Sequence, residues 1–279
     1  MPQPPTIQED GTITAVVAES AETVGNGSLL RLHLPITTAS ALISGRYFLA
    51  RCGGESQAER FEQWQFYLRK PLFAVAHRPT SQDDGMPVAE WSFYLTQNAD
   101  VSSTWLHEVT KANPINLLGP FGNGFQLHPL AQRMLILFDS ERSLTMLAFI
   151  EQALDAGKKV AVLIKGDALK NMLISRLSLA VEVHYAADAM EWETQLMPLL
   201  RWADQLCTTL PQNEWLPLAR LIRQHRSRFD SNFAQVLVEA DLVCAVGACL
   251  ACVVPLADEG LTRACIHGPV MDLAKLVKV

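Results

Sequence analysis

No apolar run in this 279-residue sequence reaches the roughly 18 residues needed to cross a bilayer, although 49% of the residues are hydrophobic. The beginning, Met-Pro-Gln-Pro-Pro-Thr, has neither the basic patch nor the apolar stretch of a signal peptide. These absences predict a soluble, cytoplasmic protein with no membrane span. There is no long basic run either, and the net charge is −6, which argues against nucleic acid as a partner. Gly-x-Ser-x-Gly, His-Glu-x-x-His and Walker-type loops are missing. Six of the histidines, His33, His77, His107, His128, His184 and His225, are scattered along the chain. No catalytic residue is assigned on this basis.

What the chain does have is a concentration of cysteine at one end. Of six cysteines, Cys52 and Cys207 stand alone, while Cys244, Cys249, Cys252 and Cys265 cluster near the end. A secreted disulfide scaffold spreads its bridges through a short chain, so this clustering favours metal ligation. The spacing is C-x4-C-x2-C-x12-C, and its first two gaps match plant-type [2Fe–2S] ferredoxins. Ala245, Gly247, Ala248 and Ala251 are small enough for the backbone to approach a cluster closely. Gly247 also permits positive φ where the loop turns back. The rival is a structural zinc site, but zinc sites usually pair their cysteines in two knuckles, whereas this chain has a triplet and a singleton. His267 is expected at the surface or beside the ligands, and Cys52 and Cys207 as small buried fillers.

Between about residues 12 and 127 the pattern is β. Short runs at 13–17, 29–34, 47–51, 65–77 and 90–96 are separated by turn-prone pieces such as Gly25-Asn26-Gly27 and Asp83-Asp84-Gly85. An antiparallel barrel or sandwich is expected. From about residue 130 the rhythm alternates. Strands are expected at 134–138, 160–164, 181–185 and 234–238, with helices at 143–156, 168–178, 191–200 and 214–228. That alternation implies a parallel α/β sheet. The expected division is a β-barrel at 1–128, an α/β domain at 129–230 and a cluster domain at 231–279.

The cysteine loop, Leu118-Gly-Pro-Phe-Gly-Asn-Gly-Phe125 and Cys265-Ile-His-Gly-Pro-Val-Met271 together resemble the electron-transfer subunit of B-type dihydroorotate dehydrogenases. That family lies within the ferredoxin–NADP reductase superfamily. The resemblance covers nearly the whole chain. It implies an antiparallel FAD-binding barrel, a parallel nucleotide-binding α/β domain and a small C-terminal [2Fe–2S] domain. In the family, NADH reduces FAD, and electrons pass through the cluster to an FMN-containing catalytic subunit of pyrimidine biosynthesis. Such a chain is an electron-transfer subunit rather than a stand-alone catalyst. The resemblance makes Cys244, Cys249, Cys252 and Cys265 the metal ligands. It places Arg69, Lys70, Pro71, Ser102, Ser103, Gly119 and Pro120 at the flavin.

Several positions depart from the family pattern. Lys70-Pro71-Leu72-Phe73 stands for Arg-Pro-(Leu/Ile)-Ser, so a planar fork and a hydroxyl are lost. Ser102-Ser103 replaces a Gly-Thr that holds pyrophosphate at a helix start. A glycine-rich nucleotide loop is replaced by Asp139-Ser-Glu-Arg-Ser143, and Cys-Gly-Pro becomes Cys207-Thr-Thr-Leu-Pro211. Without those glycines a backbone cannot approach a pyrophosphate closely, and NAD(P)H binding is expected to be weak or absent. The alternative function is an iron–sulfur relay or assembly subunit of a larger complex, without FAD or NAD(P)H.

Overall fold

The computed structural model describes residues 4–41, 44–54, 56–82, 85–96, 100–226 and 230–278. Asp83 and Asp84 of an expected turn, and Arg228 at an expected helix end, lie outside the described residues. Two compact units are present, residues 1–121 and 122–279.

The first unit contains β1 (Thr6–Ile7), β2 (Ile13–Val24), β3 (Gly27–Pro35), β4 (Tyr47–Ala50), α1 (Gln57–Glu62), β5 (Lys70–Ser81), β6 (Pro87–Thr96), α2 (Val101–Glu108) and β7 (Pro114–Phe121). Its sheet order is β1-β2-β3-β6-β5-β4-β7, and β2 also pairs with β7. That second pairing closes six antiparallel strands into a barrel, with β1 as an edge. The β2–β3 hairpin turns through Gly25 and Asn26, where Gly25 takes a φ of 58°. Gly27 starts β3 because a Cβ there would come within 2.3 Å of the Leu95 carbonyl oxygen.

The barrel interior follows from alternation along the strands. Leu30, Leu32 and Leu34 of β3 are fully buried, as are Trp91 and Phe93 of β6. The Phe48 ring meets Trp91 edge-on at 5.1 Å and Phe93 at 5.9 Å. The only polar group of Trp91's ring is satisfied, since Nε1 donates to Thr38 Oγ1 at 3.1 Å.

Local features differ from the sequence expectation. The strand expected from residue 65 begins at Lys70, because Ser56 and Glu59 form a capping box that starts α1, and Trp64–Phe66 continue as a 3-10 turn. The strand β7 is not among those expected, since Pro114, Gly119 and Pro120 interrupt its apolar pattern.

The second unit contains β8 (Arg133–Phe138), a 3-10 turn (Glu141–Met146), α3 (Leu147–Asp155), β9 (Lys159–Lys165), α4 (Asp167–Leu173), β10 (Glu182–Ala186), α5 (Ala189–Trp202), β11 (Gln205–Thr208), α6 (Gln212–His225) and β12 (Ala234–Leu237). The hairpin β13 (Val253–Pro255) and β14 (Leu261–Arg263), then α7 (Ala264–His267), β15 (Val270–Asp272) and α8 (Leu273–Leu276), complete it. The main sheet runs β10-β9-β8-β11-β12-β15. All its pairings are parallel except β12–β15. Its inner strands are near-continuous apolar runs, as a sheet covered on both faces requires. The segment after residue 231 contributes β12 and β15 to this same sheet. No helix among the described residues is long and apolar enough to cross a membrane.

Replacing Phe48 by alanine removes a ring buried to 1% exposure with two aromatic neighbours. The expected loss is about 3–5 kcal/mol of stability, read as a lower urea midpoint at unchanged m-value.

Candidate functional site

The cysteine segment leaves the sheet after β12 and returns to it at β15. Residues 240–252 form a loop without strand or helix. Gly247 adopts a φ of 73°, as its place in the turn predicts, and a Cβ there would lie 2.9 Å from Ile266. Ala245 and Leu250 also take positive φ, 56° and 59°, which costs about 1–2 kcal/mol for a residue with a Cβ. The strain accompanies a concave run of amides. The Cys249 and Val246 amides donate to the Cys244 sulfur, with a weaker contribution from Ala248, and hold the Cys244 thiol down at about 6. Arg263 Nη1 donates to the Gly247 carbonyl at 3.0 Å and fastens the loop to the end of β14.

The twelve residues between Cys252 and Cys265 are accounted for by the β13–β14 hairpin. Val253 lies opposite Arg263, so the residues just outside the hairpin, Cys252 and Ala264–Cys265, are brought together. The Ala264 amide donates to the Cys252 carbonyl at 2.9 Å, and the two sulfurs are 3.2 Å apart. Burial pushes the Cys265 thiol up to about 11, and the neighbouring Cys252 adds to this. Cys252 and Cys265 are buried, Cys244 is half-buried and Cys249 is exposed. The loop therefore has an inner and an outer pair of sulfurs. Among the described residues, no three His, Cys, Asp or Glu side chains gather tightly enough to hold one ion. A tetrahedral zinc site needs four ligands about one centre, whereas a two-iron cluster asks for two thiolates at each iron.

His267 is exposed, and its Nδ1 lies 3.0 Å from Thr262 Oγ1. The backbone beside it joins two of the sequence motifs. The Asn123 amide donates to the Gly268 carbonyl, and the Val270 amide donates to the Asn123 carbonyl at 3.2 Å. Cys52 and Cys207 are both buried, and burial pushes the Cys52 thiol up to about 12.

In the barrel unit, the expected flavin residues fall into separate groups. Lys70 and Ser103 meet through Asp100 at the start of α2, the turn that also holds Ser102. Asp100, which sequence reasoning missed, organises them. Its carboxylate accepts the Ser103 amide at 2.8 Å as the N-cap of α2, accepts the Ser103 hydroxyl at 3.3 Å, and pairs with the Lys70 ammonium. Burial pushes the Asp100 carboxyl up, but the Lys70 ammonium and the serine donors outweigh it and hold the group below its usual range. The signal available in the sequence was Asp100 directly before the helical run at Val101.

Arg69 directly precedes β5. Its guanidinium donates to the Leu49 and Asn116 carbonyls at 3.0 and 3.2 Å and to Asn116 Oδ1 at 2.6 Å. Pro71 pairs with Leu49 in the sheet, and Phe73 lies 5.7 Å from the Tyr47 ring. At the end of β7, Gly119 takes a φ of 128°, with its Cβ position 3.0 Å from the Tyr47 carbonyl oxygen. The Pro120 carbonyl accepts from Arg46 Nη2 at 2.8 Å.

These environments set an order of thiol reactivity. In protein freed of metal by a chelator at pH 7, Cys244 is expected to alkylate rapidly as a thiolate. Cys52, protonated and buried, is expected to stay unlabelled in the native fold. Peptide mass spectrometry after brief iodoacetamide treatment reads both, and equal labelling would contradict the assignment.

Residues 239–277 match the family model described as the iron–sulfur cluster binding domain of dihydroorotate dehydrogenase B. Solved structures give the fold of the whole chain. A chain of the NADH-dependent reduced ferredoxin-NADP oxidoreductase superposes with a TM-score of 0.70 at 14% identity, covering 94% of this chain and 89% of that one. Phthalate dioxygenase reductase gives 0.58 at 12% identity, covering 95% and 79%. The ferredoxin-NADP+ reductase of Plasmodium falciparum gives 0.54 at 9%, covering 83% and 98%. The protein thus has the fold of the ferredoxin reductases, and its residues 239–277 match the iron–sulfur cluster binding domain of dihydroorotate dehydrogenase B.

Proposed function

We propose that this chain is the electron-transfer subunit of a partner oxidoreductase. Cys244, Cys249, Cys252 and Cys265 hold a [2Fe–2S] cluster in it, and FAD binds on the barrel. The observation that carries this reading is the amide-lined cysteine loop, closed by a hairpin that sets Cys252 against Cys265. Bound there, the cluster would supply one-electron transfer. The chain's own part is to fix four sulfurs, turn amide hydrogens towards them and bury the inner pair from water. The half-buried and exposed outer pair, Cys244 and Cys249, leaves an edge at which a partner can exchange electrons. The C-terminal family match favours a dihydroorotate dehydrogenase-like partner; an FMN in that partner, pyrimidine biosynthesis and the cytoplasm are the remaining parts of this reading.

The barrel offers a flavin dinucleotide a cation at Lys70, hydroxyls at Ser102 and Ser103 and the first amides of α2. Asp100 occupies the same donors. A pyrophosphate has to displace or tolerate that carboxylate, so this fit is partial and FAD affinity is lowered. The second reading, a relay subunit without FAD, rests on this Asp100–Lys70 pairing.

The first test is anaerobic purification with quantification of flavin, iron and acid-labile sulfide. Two irons per chain with flavin are expected under the first reading. Iron and sulfide without flavin would select the second, and a chain that stays colourless after iron reconstitution would eliminate both. Asp100→Asn keeps the helix cap and removes the charge. It is expected to tighten FAD binding about tenfold, as measured by equilibrium dialysis, by relieving like-charge repulsion.

A further inference from the structure

The α/β unit reverses its strand order once. From β8 the chain builds outward through β9 to β10, then crosses back and places β11 on the other side of β8. Open parallel sheets bind nucleotides in the crevice that such a reversal leaves beyond the carboxyl ends of the two strands. Here that place lies past Phe138 of β8 and Thr208 of β11. The next residues on the two strands are Asp139 and Thr209.

These two residues are joined. Ser143 and Thr209 are 0% and 1% exposed, and their hydroxyl oxygens are 2.7 Å apart. One oxygen of Asp139, Oδ1, lies within reach of the hydroxyls of Thr209 at 3.3 Å, Ser143 at 3.4 Å and Ser140 at 3.5 Å; one of the Ser143–Thr209 pair donates to its neighbour and the other to the carboxylate. Thr208 is also fully buried, and its Oγ1 accepts the Leu210 amide at 3.1 Å. The chain after Asp139 then makes a 3-10 turn before α3, and the Ser143 amide is already given to the Ser140 carbonyl at 3.0 Å.

A dinucleotide needs three things at this point: room for its phosphates against bare backbone, free amides at a helix start, and no like charge. Each is missing. Side chains from both strands fill the room, an amide of the turn is spent, and a carboxylate stands at the centre. Arg142, the nearby cation, is directed to Glu239 at 2.9 Å. Cys207 is fully buried within β11, where its sulfur cannot face a ligand beyond the strand end.

We propose that the Asp139–Ser143–Thr209 knot closes the nucleotide crevice of this unit from within. The chain then accepts no hydride from NADH or NADPH, and its electrons come from a donor that docks elsewhere. The knot keeps the fold of a pyridine-nucleotide domain as a scaffold for the strands that carry the cysteine loop.

The test uses the full-length protein as purified without oxygen. NADH and NADPH are titrated by calorimetry while the visible spectrum is followed, and dithionite is then added to the same sample. Bleaching by dithionite alone, without saturable nucleotide binding up to about 1 mM, the upper end of ordinary enzyme affinities, is the expected result. Saturable binding below that concentration, or bleaching by either nucleotide, would overturn the proposal. Failure to bleach with dithionite would instead count against the cluster reading, so the two ideas fail separately. The double variant Asp139→Gly, Thr209→Gly removes the charge and opens both strand ends. It is expected to strengthen nucleotide binding at least about tenfold, because a like charge no longer faces the phosphates. If that variant folds with an unchanged circular dichroism spectrum and binds no better than wild type, the knot is not the barrier.

Discussion

Everything at the cysteine site depends on the pairing of β12 with β15 and on the short β13–β14 hairpin between them. The antiparallel β12–β15 contact fixes both ends of the loop to a rigid sheet edge. The hairpin then sets the distance between the third and fourth cysteines. With the ends held, the loop can sustain positive φ at Ala245 and Leu250, where an untethered chain would relax. That backbone shape turns amides inward, and inward amides stabilise thiolate at Cys244.

The same electrostatic device appears in each compact unit. In the barrel, Asp100 caps α2 and takes up Lys70. In the α/β unit, Asp139 gathers the hydroxyls beyond β8 and β11. Each is a carboxylate that takes up neighbouring hydroxyl, amide or ammonium donors. The two differ in what they leave available. Lys70 keeps a cation beside Asp100, and the Asp100 edge stays partly exposed. The Ser143–Thr209 contact is sealed from solvent. A chain can therefore keep the fold of the ferredoxin reductases while carrying a carboxylate at each of these two places. The fold survives because its stability comes from buried strands such as 134–138 and the Phe48–Trp91–Phe93 cluster, which no cofactor contacts need to support.

Much of this was legible in the sequence. The change from short alternating runs to apolar strands separated by helical periods gave the barrel and the parallel sheet. The cysteine spacing pointed to a cluster, because close ligands demand a tight loop and small neighbours. Less legible were α1, where the capping box of Ser56 and Glu59 outweighed an apolar run, and β7, whose prolines and glycine concealed a strand. Asp100 was overlooked because its role needs Lys70, thirty positions away, to arrive at the same helix end.

The sequence alone determined what depends on neighbours along the chain: strand and helix periods, the closely spaced cysteine triplet, and the turn at Gly247. Tertiary structure decided what depends on distant segments meeting. It set Cys252 against Cys265 through a hairpin, Asp100 against Lys70 across the barrel, and Asp139 against Thr209 at the reversal of strand order. The physical reason is that local preference is fixed by a few adjacent dihedrals. The partner of a carboxylate or a thiol is fixed instead by strand pairing, which is settled only when the whole core is buried.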